Sequence, residues 1–175
     1  MKLSKRIIIY TGNGKGKTTA ALGLVWRALG HELRCGVIQF IKQHPHRFGE
    51  YRFAQRQGVS WYSFGEGFIW DQEDPHVSRE TSIRGWEFFT QLVGQSQYDL
   101  LVLDEFSYPI HENWLDEQEV LRWLQIHREG LPHLVITGRN MPQGLMDLAD
   151  TVTSMDEIKH GFSLQGTPAQ RGIEY

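Results

Sequence analysis

Thr11-Gly12-Asn13-Gly14-Lys15-Gly16-Lys17-Thr18-Thr19 is the stretch on which the fold of this 175-residue chain turns. An apolar run of β type, Ile7-Ile8-Ile9-Tyr10, leads into it, and a run of helical character, Thr19 to Leu29, leads out. Strand, glycine-rich loop, Lys-Thr and helix is the layout of a phosphate-binding loop. Its glycines let backbone N–H groups turn toward phosphate oxygens, and the helix N-terminus adds partial positive charge. Lys17 adds a full charge, and the Thr18 hydroxyl can ligate Mg²⁺. The usual spacing G-x-x-x-x-G-K-S/T places its first glycine at position 11, where this chain has Thr11 and delays the glycine to Gly12. The loop is expected to bind phosphate, but not necessarily to seat a nucleotide in the usual manner.

Bulk properties narrow the classes. A chain of 175 residues is expected to form one domain, 1–175, with room for a sizeable core. Hydrophobic content of 40% and charged content of 22% are those of a soluble globular protein. A formal net charge of −3 gives no pull toward nucleic acid or an anionic membrane. No run approaches the roughly 20 apolar residues of a membrane span. The apolar run after the basic N-terminus is too short for a signal peptide. A single cysteine, Cys35, excludes an intrachain disulfide and reads as a small core residue. The expected location is the cytoplasm.

Apolar β-type runs recur at 6–10, 34–41, 59–64, 98–103, 133–137 and, weakly, 151–155, with helical patterns between most of them. Trp86, Phe89, Leu92 and Val93 have helical spacing. Asp116 and Glu119 have the spacing of a capping box and open the pattern 117–128, and a short last helix is expected over 145–149. Alternation of this kind predicts an α/β fold with a mainly parallel sheet covered on both faces, and ligands at the carboxyl ends of its strands. Gly65–Val77 and Ser107–Leu115 are the longest stretches expected to be irregular.

Further motifs fall at those strand ends. The run 98–103 ends in Asp104-Glu105, a carboxylate pair placed to face Mg²⁺ and phosphates. The run 133–137 ends in Thr137-Gly138-Arg139, which would bring a guanidinium suited to phosphate oxygens to the same edge. Gly65-Glu66-Gly67-Phe68-Ile69-Trp70-Asp71 combines glycines with flat apolar side chains: a lid over a planar ligand, or ordinary packing. Eight scattered histidines lack metal-ligand spacing.

Together these motifs resemble the P-loop-type ATP:corrinoid adenosyltransferases. The resemblance runs through Thr11–Ala21, Gly36–Lys42, Gly67–Asp71, Leu103–Glu105, Ile136–Arg139, Leu148–Thr153, Lys159-His160 and Ala169–Tyr175. It implies a P-loop (RecA-like) three-layer α/β/α fold. It also implies transfer of the 5′-deoxyadenosyl group of ATP to Co(I) of a reduced corrinoid (cobalamin, cobinamide or cobyrinic acid a,c-diamide), with triphosphate leaving. ATP would lie in the loop in reverse, held by Gly12, Asn13, Gly14, Lys15, Gly16, Lys17, Thr18 and Thr19, with Arg139 as a further phosphate contact. Thr18 and Glu105, supported by Asp104, would hold Mg²⁺ or Mn²⁺. Lys17 would serve the leaving group catalytically. Phe68 and Trp70 would wall the corrinoid and displace its lower axial ligand, easing reduction of Co(II). A homodimer and a flavoprotein electron donor are further implications. Only about five residues precede the first strand, fewer than in longer members, and Gln43–Arg56 departs from the family form. The competing readings are a generic ATP hydrolase or kinase, and a non-catalytic module that binds ATP or corrinoid.

Overall fold

The computed structural model describes residues 5–41, 47–65, 75–159 and 168–173. Six strands, β1 (Ile7–Thr11), β2 (Cys35–Gln39), β3 (Ser60–Ser63), β4 (Leu100–Asp104), β5 (His133–Thr137) and β6 (Thr151–Ser154), form one sheet in the order β3-β2-β4-β5-β1-β6. Every pairing is parallel. A parallel pair needs a crossover, and among the described residues six α-helices supply them: α1 (Lys17–Leu29), α2 (Gly49–Arg56), α3 (Pro75–Gln95), α4 (Ser107–His111), α5 (Glu117–Ile126) and α6 (Gln143–Leu148).

Side-chain alternation along the strands divides the core in two. Leu101, Leu103, Leu134 and Ile136 point into a cluster closed by Phe89 of α3, Leu124 of α5 and Leu145 of α6. Leu100, Val102, Val135 and Val37 point the other way, against Ala21, Leu22 and Val25 of α1 and Ala54 of α2. The result is the expected α/β/α sandwich, with α1 and α2 on one face. Strands buried on both faces read as unbroken apolar runs, which is why β2, β4 and β5 were plain in the sequence.

Three local differences emerge. The departing stretch 43–56 contains α2, which buries Ala54 and whose Tyr51 packs edge-on to Trp61 at a centroid distance of 5.7 Å. The stretch 107–115, expected to be irregular, opens with α4. The helix around Trp86 begins at Pro75, inside the other stretch expected to be irregular. The capping box is present: Asp116 accepts the Glu119 N–H at 2.9 Å.

One topological detail shapes the site. β5 lies between β1 and β4. The tip of β5 therefore separates the glycine-rich loop from the Asp104-Glu105 pair, and bridging the two falls to side chains.

Candidate active site

The loop Gly12–Gly16 joins β1 to α1 along the carboxyl edge of the sheet. Gly16 caps α1 at φ +105° with no side-chain cap bond, so the first-turn N–H groups are left to an outside acceptor. The segment after β6 braces the loop from beside it. Gly14 N–H donates to Met155 O at 2.7 Å, and Met155 N–H donates to Thr11 O at 2.9 Å. Gly12 holds φ +92°, and a Cβ there would lie 2.4 Å from Met155 O. The backbone needs glycine at that position for both reasons.

Thr11, in the place of the usual glycine, is still strand. It pairs with Ser154 and is 8% exposed, and its hydroxyl accepts the Met141 N–H at 3.4 Å. Its side chain thus ties the start of the loop to the segment after β5 that carries Arg139.

Lys17 is 7% exposed, unusual for a lysine. Its ammonium donates to Gly12 O and Gly14 O, each at 2.8 Å. Burial lowers its pKa, the Glu105 and Asp104 carboxylates oppose that shift, and Arg139 adds to it. The structure therefore brings Asp104, Glu105 and Arg139 within electrostatic reach of Lys17. Arg139, Asn13, Lys15 and Thr19 are exposed, and Gly14 is buried.

Asp104 is fully buried at the tip of β4. Its Oδ1 accepts from the Thr18 hydroxyl at 2.8 Å and the Thr137 hydroxyl at 2.7 Å, and its Oδ2 accepts from Gln39 Nε2 at 2.8 Å. Thr137 also receives the Glu105 N–H on its hydroxyl at 3.0 Å and the Phe106 N–H on its carbonyl at 2.9 Å. These bonds hold Glu105 at φ +60°, a left-handed conformation that costs a non-glycine residue of order 1 kcal/mol or more and turns the chain sharply after the strand. Gly138 lies under that turn, where a Cβ would stand 2.0 Å from Ser107 Oγ. Gln39 and Thr137 are partners of Asp104 that the motifs did not reveal. The available signal was Gln39 itself, a lone polar residue closing the apolar run of β2.

Thr18, Asp104 and Glu105 offer one hydroxyl and two carboxylates, the hard oxygen donors that suit Mg²⁺ and leave room for phosphates and water. The fit is good: Thr18 Oγ1 and Asp104 Oδ1 already lie side by side. Among the described residues no cluster of three His, Cys, Asp or Glu side chains could hold a metal alone. Cys35 is buried, and burial pushes its thiol pKa up to about 11, so it is no nucleophile. Phe68 and Trp70, expected at the corrinoid, lie outside the described residues, as do His44 and His46. No helix among the described residues is long and apolar enough to cross a membrane.

The fold is shared with solved structures of low identity. A KaiC-like protein from Pyrococcus horikoshii superposes with a TM-score of 0.55 at 15% identity, covering 87% of this chain and 73% of that one. The flagellar accessory protein FlaH of Methanocaldococcus jannaschii gives 0.56 at 10% identity, covering 86% and 71%. Both share this chain's α/β fold, helices packed about a parallel sheet. Sequence relatives are more specific. A corrinoid adenosyltransferase of Pseudomonas aeruginosa is 38% identical over 171 residues, covering 97% of this chain and 83% of the relative. Corrinoid adenosyltransferase CobA of Salmonella typhimurium is 38% identical over 170 residues, covering 97% and 85%. The family model "ATP:corrinoid adenosyltransferase BtuR/CobO/CobP" matches residues 4–175. Loop, strand-end carboxylates and near-complete sequence match agree, and the chain belongs to the ATP:corrinoid adenosyltransferase family.

Proposed function

We propose that this protein transfers the 5′-deoxyadenosyl group of ATP to the cobalt of a reduced corrinoid. The observation that carries the reading is the family match over residues 4–175. A P-loop with Thr11 in place of the first glycine supports it. Co(I) supplies the electron pair, a carbon–cobalt bond forms at C5′, the C5′–O bond breaks, and its electrons leave with triphosphate. No proton moves at the reacting carbon, so no general base is required.

The chain's part is then to hold and stabilise the leaving group. Lys17, the loop N–H groups other than that of Gly14, which is bonded to Met155 O, and the exposed Arg139 face the charge that grows on triphosphate. Thr18, Glu105 and Asp104 would hold Mg²⁺ (or Mn²⁺), which supplies further neutralisation of that charge. The Thr18–Asp104–Gln39 bonds fix the hydroxyl that carries out this task. Phe68 and Trp70 are assigned to the corrinoid wall. A single domain, a homodimer, a flavoprotein reductant and a cytoplasmic location complete the proposal.

The test is anaerobic incubation of the protein with ATP, Mg²⁺ and chemically reduced cobalamin. The expected outcome is a light-sensitive adenosylated product and one equivalent of triphosphate. ADP or orthophosphate instead would identify an ordinary hydrolase or kinase. ATP binding without a carbon–cobalt product would identify a non-catalytic module. Lys17→Ala is expected to lower turnover at least about hundredfold, the scale for losing one preorganised charge at a reacting centre.

A further inference from the structure

Gln39 is a polar side chain in a place where an apolar one would cost less. It closes the buried strand β2 and is 1% exposed. Gln39, Asp104 and Thr137 each stand two residues beyond a core valine, Val37, Val102 and Val135, on the neighbouring strands β2, β4 and β5. Alternation puts all three on the face that α1 covers, so the sheet ends there in a row of buried polar groups. Gln39 Nε2 donates to Asp104 Oδ2 at 2.8 Å. Its Oε1 is buried and has no hydrogen-bond partner among the described residues. Turning the amide over would set that oxygen against a carboxylate, so Asp104 dictates which end faces it. A methionine of like length would fill the same space without the unmet acceptor. The backbone is pinned on both sides: Gln39 O accepts the Phe64 N–H at 2.7 Å, and the Phe40 N–H donates to Asp104 O at 3.1 Å. The amide is therefore aimed from a rigid strand.

The acceptor positions of Asp104 are nearly all in use. A carboxylate offers about four, two on each oxygen. Oδ1 receives the hydroxyls of Thr18 and Thr137, at 2.8 and 2.7 Å, and has none left. Oδ2 receives the Gln39 amide. Held on both oxygens, the carboxylate cannot turn about its Cβ–Cγ bond, a torsion that is otherwise soft. The Thr18 hydroxyl gives its proton to Oδ1 and keeps its lone pairs for a metal. Asp104 thus serves the metal from behind Thr18 rather than as a ligand. Without Gln39, Oδ2 would be a buried carboxylate oxygen with no donor, and a cation held by Thr18 would satisfy it.

We infer that Gln39 is a positioning residue for the metal: it withholds Asp104 from the ligand set, leaves Glu105 as the one carboxylate ligand, and so sets a preference for Mg²⁺ over Ca²⁺. This deepens the proposed function and rests on its assignment of a metal to Thr18 and Glu105. Mg²⁺ keeps several waters and takes few carboxylates beside phosphates, whereas Ca²⁺ accepts more oxygen ligands and carboxylates that bind through both oxygens. A freed Asp104 would add a second carboxylate and favour the larger ion.

Calorimetric titration of the full chain with MgATP and with CaATP, without corrinoid, gives the ratio of the two dissociation constants. The parent protein is expected to prefer MgATP. Gln39→Met and Gln39→Leu, which both fill the buried space, are expected to shift the ratio toward CaATP by about tenfold, the low end for loss of a group behind a metal ligand. In an Asp104→Asn background the same changes should leave the ratio where it was, because the effect runs through the carboxylate. An unchanged ratio in the single variants overturns the inference. So does equal weakening of MgATP and CaATP, the result of a merely structural role, or a shift that persists beside Asp104→Asn. Since the titration contains no corrinoid, a protein that shows the shift yet forms no carbon–cobalt bond would sink the proposed function and leave the role of Gln39 standing.

Discussion

Replacing Thr137 with valine tests the bridge between loop and carboxylates with almost no change of shape. The hydroxyl is fully buried and makes two bonds, donating to Asp104 at 2.7 Å and accepting from Glu105 N–H at 3.0 Å. A hydrogen bond to a charged group contributes about 1.5–3 kcal/mol, and a backbone N–H left without its acceptor costs about 1–3 kcal/mol. Asp104 keeps Thr18 and Gln39, and Glu105 is only half-buried, so both losses fall toward the lower ends. The expected destabilisation is about 3 kcal/mol. For a chain of this size that corresponds to a Tm lower by roughly 6–12 °C. Urea unfolding followed by circular dichroism measures it, with Thr151→Val on the exposed strand β6 as a control expected within about 0.5 kcal/mol. A loss below about 0.5 kcal/mol for Thr137→Val, matching the control, refutes the claim that this hydroxyl holds the site together. A second readout follows from the left-handed turn at Glu105: freed of its anchor, the carboxylate should lose its fixed position, and the Mg²⁺ concentration needed for ATP binding should rise.

Other expectations are more compact. Thr11→Gly restores the usual loop spacing but removes the bond to Met141; it should destabilise the protein by about 1–2 kcal/mol and weaken ATP binding, and a variant that binds ATP more tightly would contradict the bracing role. Gly138→Ala forces a Cβ against Ser107 and should cost about 1–3 kcal/mol in urea unfolding, partly recovered by Ser107→Gly. Asp150 accepts the Ile7 N–H at 2.7 Å and pairs with Arg128 and Arg6, which holds its pKa below the usual carboxylate value. Since the unfolded chain binds that proton more readily, the stability contributed by Asp150 is full above about pH 4 and drains away as pH falls through its lowered folded value. Asp150→Asn should therefore show a flatter acid limb in urea midpoints between pH 6 and 3, and an identical slope would exclude the linkage. Burial lowers the Lys17 pKa, so ATP affinity should be complete below that value and decline as pH rises through it, with proton uptake on binding visible by calorimetry in buffers of different ionisation heat.

The sequence was most legible where one physical rule acts alone. Glycines at 12, 14 and 16 before Lys17-Thr18 announce a phosphate cradle, and continuous apolar runs announce strands buried on both faces. Asp104 and Glu105 were found because two acids ending an apolar strand, in a chain with a glycine-rich Lys-Thr loop, are placed to face Mg²⁺ and phosphates. What stayed hidden depends on strand order. Thr137 matters because β5 lies between β1 and β4, and nothing local to Thr137 encodes that neighbour relation. Helix α2 was missed because its eight residues bury only Ala54, leaving almost no apolar periodicity to detect.

The ammonium of Lys17, resting on the carbonyls of Gly12 and Gly14, bears on turnover as well as binding. A short anion must compete with two well-placed acceptors for that charge, and one phosphate offers little in exchange. A polyphosphate can compensate by also engaging the loop amides and Thr18, which makes the loop a length filter. The same carbonyls wait when the reaction is over. With no anion in the loop they hold the ammonium themselves, so the buried charge keeps two acceptors on the protein's own backbone.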